Sequence, residues 1–322
     1  MMRCLAWKET SCSVIEVSAT YNSRRALWPG PHANRCDPYD VERMASKRTQ
    51  IGGAMAGTAL LAVGALSAAP QQQPSKARAG WPCGARLDPS YFQLAEATGG
   101  HLVLLAPSEI ADSATLLTAF SDHRQTLFRL AGDLKTGIHE FRVPVDPSVE
   151  SLLVSISVQC LQTADVIDPS GVSVGGDNVT DLSSLTAIRM VIVRRPAPGM
   201  WTLRAAGNGI GGVVVQARSA VGVAHVEFGV TGSPEFRPVP VPGVENVVRI
   251  TVSGHPRRLE ASVVNAAFRT IAPLPLASGD ADGTYVSRFT PGDEGFRIAI
   301  SGTDDGGAAI QRVYASLFTP VR

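Results

Sequence analysis

Two spacings of apolar residues divide this chain. From Tyr91 to Ala97 the pattern suits a helix that stops at Gly99-Gly100. "HLVLL", residues 101–105, is an unbroken apolar run of the kind a buried strand shows. Ser108 is then a candidate N-cap, and Ile110, Ala114, Leu117, Phe120 and Leu127 follow near helical spacing, which predicts a helix from Ser108 to Leu130. From Ile138 onward the period becomes two. Phe141, Val143 and Val145 alternate with Arg142 and Pro144, and Leu152, Val154, Ile156 and Val158 form one face of the next strand. Ile188, Met190 and Ile192 follow, then Trp201 with Leu203, then Val226 with Phe228. Beyond a Pro-rich joint, "GSPEFRPVPVPG", the alternation resumes in Val248, Ile250 and Val252, in Phe296, Ile298 and Ile300, and in Val313 with "YASLF". Short alternating strands separated by Gly, Pro and Asp turns predict antiparallel β-sandwiches.

The expected fold is therefore mainly β: two tandem Ig-like antiparallel sandwiches, 136–232 and 238–322, behind a short helix-strand-helix remnant at 83–132. That remnant holds one strand, 101–105, and no neighbouring stretch to complete its sheet. Buried strands need partners for their N–H and C=O groups. Residues 83–132 are thus expected either to dock loosely on the first sandwich or to be completed by another polypeptide.

Ahead of these domains, "MASKRTQIGGAMAGTALLAVGALSAAPQQQP" begins at Met44. Lys47 and Arg48, an apolar run from Ile51 to Leu66, and the small residues of "ALSAAP" come in the order of a secretory signal peptide, 44–69. The run falls short of the roughly 20 strongly apolar residues of a membrane span, and a polar linker follows at 70–82. Residues 1–43, with Cys4, Cys12 and Cys36, read as an extension ahead of the true start at Met44. The mature chain then carries no membrane span, is secreted or periplasmic, and keeps Cys83 and Cys160. Export would permit those two to pair, but their spacing alone does not establish a disulfide.

Composition adds little beyond this. A hydrophobic content of 44% over 322 residues is ample for packed cores, and a net charge of +1 gives no electrostatic reason for a nucleic-acid partner.

Five patterns invite a chemical reading. Gly171-Val172-Ser173-Val174-Gly175 fits G-x-S-x-G, but a nucleophile elbow needs a strand before the serine and a helix after it. Here a turn, Asp168 to Gly171, precedes Ser173, and a polar loop follows. "GNGIGG" (Gly207, Gly209, Gly212) fits the dinucleotide fingerprint, yet "VVVQARS" follows where a helix is required, so a glycine hairpin is expected. The acidic loops with Asp280 and Asp282, and with Asp304 and Asp305, have the carboxylates of a Ca²⁺ site without the EF-hand spacing. His101, His123, His139, His225 and His255 lack metal-ligand spacing, and Asn178-Val179-Thr180 is a glycosylation sequon. No catalytic, cofactor-binding or metal residue is assigned.

A resemblance extends this reading. "LKTGIHEFRVPVDPSVESLLVSIS", "VIDPSG", "PAPGMWTLRAAGNG" and "VVVQARSAVGVAHVEFG" resemble the segment that follows the von Willebrand factor type A domain in hemicentin-like extracellular proteins. "PVPVPGVENVVRITVSG" and "GFRIAISGTDDGGAAIQRVYASLFTPV" continue it, and "CGARLDPSYFQLAEATGGHLVLLAPSEI" resembles the last helix and strand of the type A domain itself. The D-x-S-x-S metal motif of that domain does not occur, so its adhesion chemistry is carried to no residue here. The resemblance implies a sandwich pair in an adhesion-like, non-catalytic setting, with an exterior protein or glycan as partner. The alternative is a calcium-assisted carbohydrate- or protein-binding module using the acidic loops. A hydrolase comes third.

Overall fold

The computed structural model describes residues 61–62, 83, 86–120, 124–181, 185–233 and 235–321. The extension at 1–43, the linker and His123 lie outside the described residues, as does the signal segment apart from Leu61 and Ala62.

The chain is mainly β, as its alternation predicts, and its sheets are antiparallel apart from one short parallel pair. Three strands dominate the first sandwich: β3 (Gln125–Val145), β4 (Val149–Ile167) and β7 (Gly199–Ser219), with β7 in the middle. None of them is straight. Phe128 and Phe141 both lie on β3, and an extended strand would hold them about 43 Å apart. Their ring centroids are 5.7 Å apart. The turn between β3 and β4 gives the same answer. Val145 pairs with Gly199 and Val149 with Ser219, at opposite ends of β7. Four Cα steps reach at most about 15 Å, whereas 20 residues of straight strand span about 66 Å. The sheet is doubled over, and its two halves are the two layers of the sandwich.

The crease is written in the sequence. Register shifts fall together between Leu134 and Gly137, between Val158 and Cys160, and between Leu161 and Thr163. Opposite them runs "GNGIGG". Gly209 has φ +95°, and a Cβ on Gly211 would lie 2.5 Å from the Ser157 carbonyl oxygen. Bulges and glycines bend a strand and let another backbone approach closely. The glycines are therefore the fold line of one long strand; the expected hairpin there is not formed.

Inside the fold, Val143, Leu152, Val154, Ile156, Val166, Trp201, Leu203, Val213 and Val215 make one core. Trp201 is 2% exposed, in phase with Leu203 as its strand pattern predicts, and its Nε1 donates to the Ala197 carbonyl at 2.9 Å. β4 also pairs with β6 (Ile188–Arg194), which pairs with the short edge strand β5 (Val179–Asp181).

The second sandwich packs two layers. One is a five-stranded sheet, in the order β13 (Ala277–Ser278), β14 (Thr284–Phe289), β10 (Asn246–Ser253), β8 (Gly222–Val230) and β9 (Phe236–Arg237). The other holds β12 (Thr270–Leu274), β11 (Arg257–Val264), β15 (Arg297–Thr303) and β16 (Ala309–Val313). Phe228, Val248 and Ile250 from the first layer meet Val263, Phe296, Ile298 and Ile300 from the second. "YASLF" continues past β16 mainly as irregular chain, with Phe318 bridging to Phe296. The sandwiches are not separate sheets. β16 pairs with β3 through Val313 and Thr126, so one nine-stranded sheet runs through both.

The N-terminal segment departs most from expectation. Helix α1 (Pro89–Thr98) is capped by Asp88, whose side chain accepts from Ser90 N–H, and ends at Gly99 in the left-handed conformation. Only His101–Leu102 is strand (β2), and its partner is β1, Leu61–Ala62, in parallel. Cleavage of a signal peptide near residues 66–71 would remove β1. The long helix to Leu130 is not formed. A 3₁₀ turn at Pro107–Asp112 leads into α2 (Ser113–Phe120), and Gln125 already begins β3. The boundary expected between 132 and 136 thus falls inside a strand. Leu127 and Phe128 lie in the sandwich core, and that burial outweighs the local helical spacing.

Nor is the segment loosely docked. Val103, Leu105, Leu116 and Phe120 pack on Leu153, Ile188 and Met190, the outer face of β4 and β6. Leu152 and Val154 face inward while Leu153 faces this cover, which explains the unbroken "LLV".

Candidate functional site

Ser173 is exposed and forms an isolated bridge with Ile167 in the loop after β4. The turn before it is closed by Asp168, whose Oδ1 accepts from Ser170 and Val172 N–H. The acidic loops are built differently from an ion cage. Asp304 Oδ1 accepts from Ala308 N–H at 2.7 Å, Asp305 pairs with Arg257, and Asp280 and Asp282 are exposed. Among the described residues there is no group of three or more His, Cys, Asp or Glu side chains that could hold a metal ion.

Of the described histidines, His139 lies against the Lys135 carbonyl, His225 pairs with Glu227 at 2.9 Å, and His255 is exposed. His101 is the buried one. Its ring stacks on Phe120 at 3.8 Å, and Nε2 lies 3.1 Å from Gln216 Oε1. Burial, reinforced by the Arg129 charge, lowers its pKa to about 3, so the ring is neutral at ordinary pH. Asn178, the sequon asparagine, is exposed at the start of the edge strand β5.

What the fold does bring together is charge, buried where α1 meets both sandwiches. Glu96 of α1 is 4% exposed and faces Arg129 of β3 and Arg297 of β15. Arg129 donates to Glu96 Oε1 at 2.8 Å and to the carbonyls of Ala95, Gly99 and Gly100, closing the C-terminus of α1. Gly99 is needed there for fit as well as for its φ of +72°, because a Cβ would lie 2.8 Å from Ala315 Cβ. Burial alone would raise the Glu96 carboxyl, but the two guanidinium charges outweigh it and hold it below the usual carboxylate range. Burial also pushes Arg297 down to about 10, against the pull of Glu96.

A second buried pair crosses the joint. Arg312 of β16 lies 2.7 Å from Asp146, in the β3–β4 turn, and also donates to the Val221 carbonyl and to Ser219 Oγ. Cys83 and Cys160 form a disulfide, Cα to Cα 4.6 Å, tying the start of the N-terminal segment to the crease in β4. Sequence reading could not have found either ion pair. Glu96 and Arg297 are 201 positions apart, and nothing local marks them as partners.

One groove on the first sandwich has the dimensions of a ligand site. About 420 Å³ in volume, it is lined by Leu161, Gln162, Thr163 and Ala164 on the free side of β4 beyond the crease. Leu185, Thr186, Ile188 and Arg189 form the other wall. Arg189 is held in place by Asp181 at 2.9 Å and by the Ala164 carbonyl, and Thr186 by Glu109. The groove is open, and its lining sets Leu161, Ala164, Leu185 and Ile188 beside the amide, hydroxyl and guanidinium groups of Gln162, Thr163, Thr186 and Arg189.

Comparison with known proteins gives a family match over the first sandwich. Residues 126–220 match the family described as hemicentin galactose-binding domain-like, and they coincide with the doubled sheet from β3 to the end of β7. The chain is similar to Hemicentin-1 of Mus musculus, 25% identical over 204 residues, which cover 58% of this chain and 4% of that protein. Hemicentin-1 of Homo sapiens is 24% identical over the same length and shares. The chain thus spans a small fraction of the length of the curated relatives it matches.

Two solved structures show weak likenesses to the chain. The Bacillus licheniformis lipase BlEst2 in propeptide form has TM-score 0.32 and 11% identity, covering 68% of this chain and 52% of its own. The Bifidobacterium dentium β-glucuronidase complexed with coumarin-3-O-glucuronide has TM-score 0.21 and 8% identity, covering 56% and 39%. Likenesses this weak say nothing about the activity of this chain. On the sequence evidence, the chain is similar to Hemicentin-1 over 204 residues, and residues 126–220 match the hemicentin galactose-binding domain-like family.

Proposed function

We propose that this is an exported, non-catalytic binding and structural protein, adhesion-like in role, whose partner is an exterior protein or glycan. The observation that carries the reading is the match of residues 126–220 to a galactose-binding-like module, with the Leu161–Arg189 groove inside that span. Export rests on the signal-like order of residues 44–69 and on the disulfide between Cys83 and Cys160, which is at home in an oxidising compartment. Among the described residues no helix is long and apolar enough to cross a membrane. Residues 83–110 are read, on their sequence, as similar to the closing helix and strand of a type A domain.

The test is binding of the full exported chain to an array of glycans that includes galactose-terminated chains. Thr163→Trp, which fills the groove from its exposed rim, should abolish the strongest signal without changing the melting temperature. Unchanged binding by Thr163→Trp would move the site elsewhere. A chain that binds no glycan but hydrolyses a model ester, and loses that activity on Ser173→Ala, would overturn the proposal.

A further inference from the structure

Glu96 stands where three parts of the chain meet, and its two oxygens serve different sandwiches. Oε1 accepts from Arg129 Nε at 3.1 Å and Nη2 at 2.8 Å, while Oε2 accepts from Arg297 Nη2. The two guanidiniums depend on it unequally. Arg129 also donates to three backbone carbonyls, so its positive charge stays solvated by dipoles whatever Glu96 does. Arg297, with no measurable exposure, has the Ala315 carbonyl at 3.1 Å as its other acceptor, and its Nη1 is buried without a partner. The Arg129 charge also disfavours that of Arg297 across the joint. Two like charges in a medium that screens poorly repel strongly unless a counter-charge lies between them.

We infer that Glu96 is a latch that holds the second sandwich against the first. With its charge in place, Arg297 is drawn over to the Arg129 side, and the chain after β16 docks on α1, where Leu317 N–H donates to the Glu96 carbonyl at 2.8 Å. Without that charge, the guanidiniums face one another unshielded, and the joint opens on its α1 side. The β16–β3 sheet contact and the Asp146–Arg312 pair remain and act as the hinge. The N-terminal segment, expected from sequence to be a remnant beside the sandwiches, is thereby the element that sets their angle.

The experiment is hydrogen exchange on the full chain with Glu96→Gln, which keeps the shape of the side chain and removes its charge. Exchange at residues 315–318 should rise at least about tenfold while the amides of β7 stay protected. Adding Arg297→Met removes the repulsion and should return 315–318 close to wild-type protection. Unchanged exchange in Glu96→Gln overturns the latch. So does a double variant that exchanges as fast as the single one, since lost packing rather than exposed charge would then be the cause. If Glu96→Gln does not fold, the double variant must recover soluble, folded protein, and its failure to do so counts equally against the inference.

Discussion

Replacing Trp201 by Ala tests whether the doubled sheet is packed as described. The indole lies near the start of β7, 2% exposed, in the core with Leu203, Val143, Val166 and Val215. A buried tryptophan removes about 150–250 Å² from water. At about 25 cal/mol per Å², that corresponds to an upper limit of about 4–6 kcal/mol. The alanine methyl recovers part of this, whereas the Ala197 carbonyl loses its donor, at a cost of about 1 kcal/mol. The expected net loss is about 3–5 kcal/mol, the usual range for truncating a large buried aromatic. For a body of this size, each kcal/mol shifts the melting temperature by about 2–4 °C. Calorimetry of the full chain should therefore show a drop of about 6–20 °C. The drop should come in a single transition, because one sheet runs through both sandwiches. A shift of a degree or two would place Trp201 at the surface and refute the strand register. A large shift confined to one of two separate transitions would refute the continuity of the sheet.

Three further outcomes follow from the joint and its staple. Reducing the Cys83–Cys160 disulfide, or replacing both residues by Ala, releases a loop of 77 residues and should cost about 4–5 kcal/mol by loop entropy. Equal denaturation midpoints with and without reductant would contradict that. Asp146→Asn strips Arg312 of its counter-charge inside the joint and should cost about 3–5 kcal/mol in urea unfolding, with Asp146→Asn/Arg312→Met recovering much of the loss. A double variant no more stable than the single one would rule out charge as the cause. Burial opposes ionisation of both Glu96 and Asp146, yet their arginine partners hold both carboxyls below the usual range. Their contribution is then complete above the unfolded carboxylate pKa of about 4 and is lost as pH falls through the lower folded values. Neutral His101 adds to acid sensitivity, since charging the unfolded chain below about pH 6.5 favours unfolding. Stability that stayed flat from pH 7 to pH 3 would contradict both statements.

The sequence by itself determined the strands and their buried faces. Alternation at Phe141–Val145, Leu152–Val158, Val248–Val252 and Phe296–Ile300 names strands and their buried faces, because a side-chain period of two is a local property of extended backbone. It also named Trp201 as core and showed strand rather than helix after Ser173 and after "GNGIGG", where a nucleophile elbow and a dinucleotide fingerprint each require a helix. Where Leu127 and Phe128 would be buried was not a local matter. Their spacing with Leu117 and Phe120 fits a helix, and only the doubled sheet, with Phe141 and Phe268 waiting across it, makes them strand. "GNGIGG" looked like the tip of a hairpin because a glycine cluster marks a bend equally well between strands or within one. The close passage of β4 behind it decided which. The charged joint was hidden for the most general reason. Glu96, Arg129 and Arg297 are unremarkable letters in their own segments, and their partnership arises when α1, β3 and β15 converge and exclude the water that would otherwise solvate each charge separately.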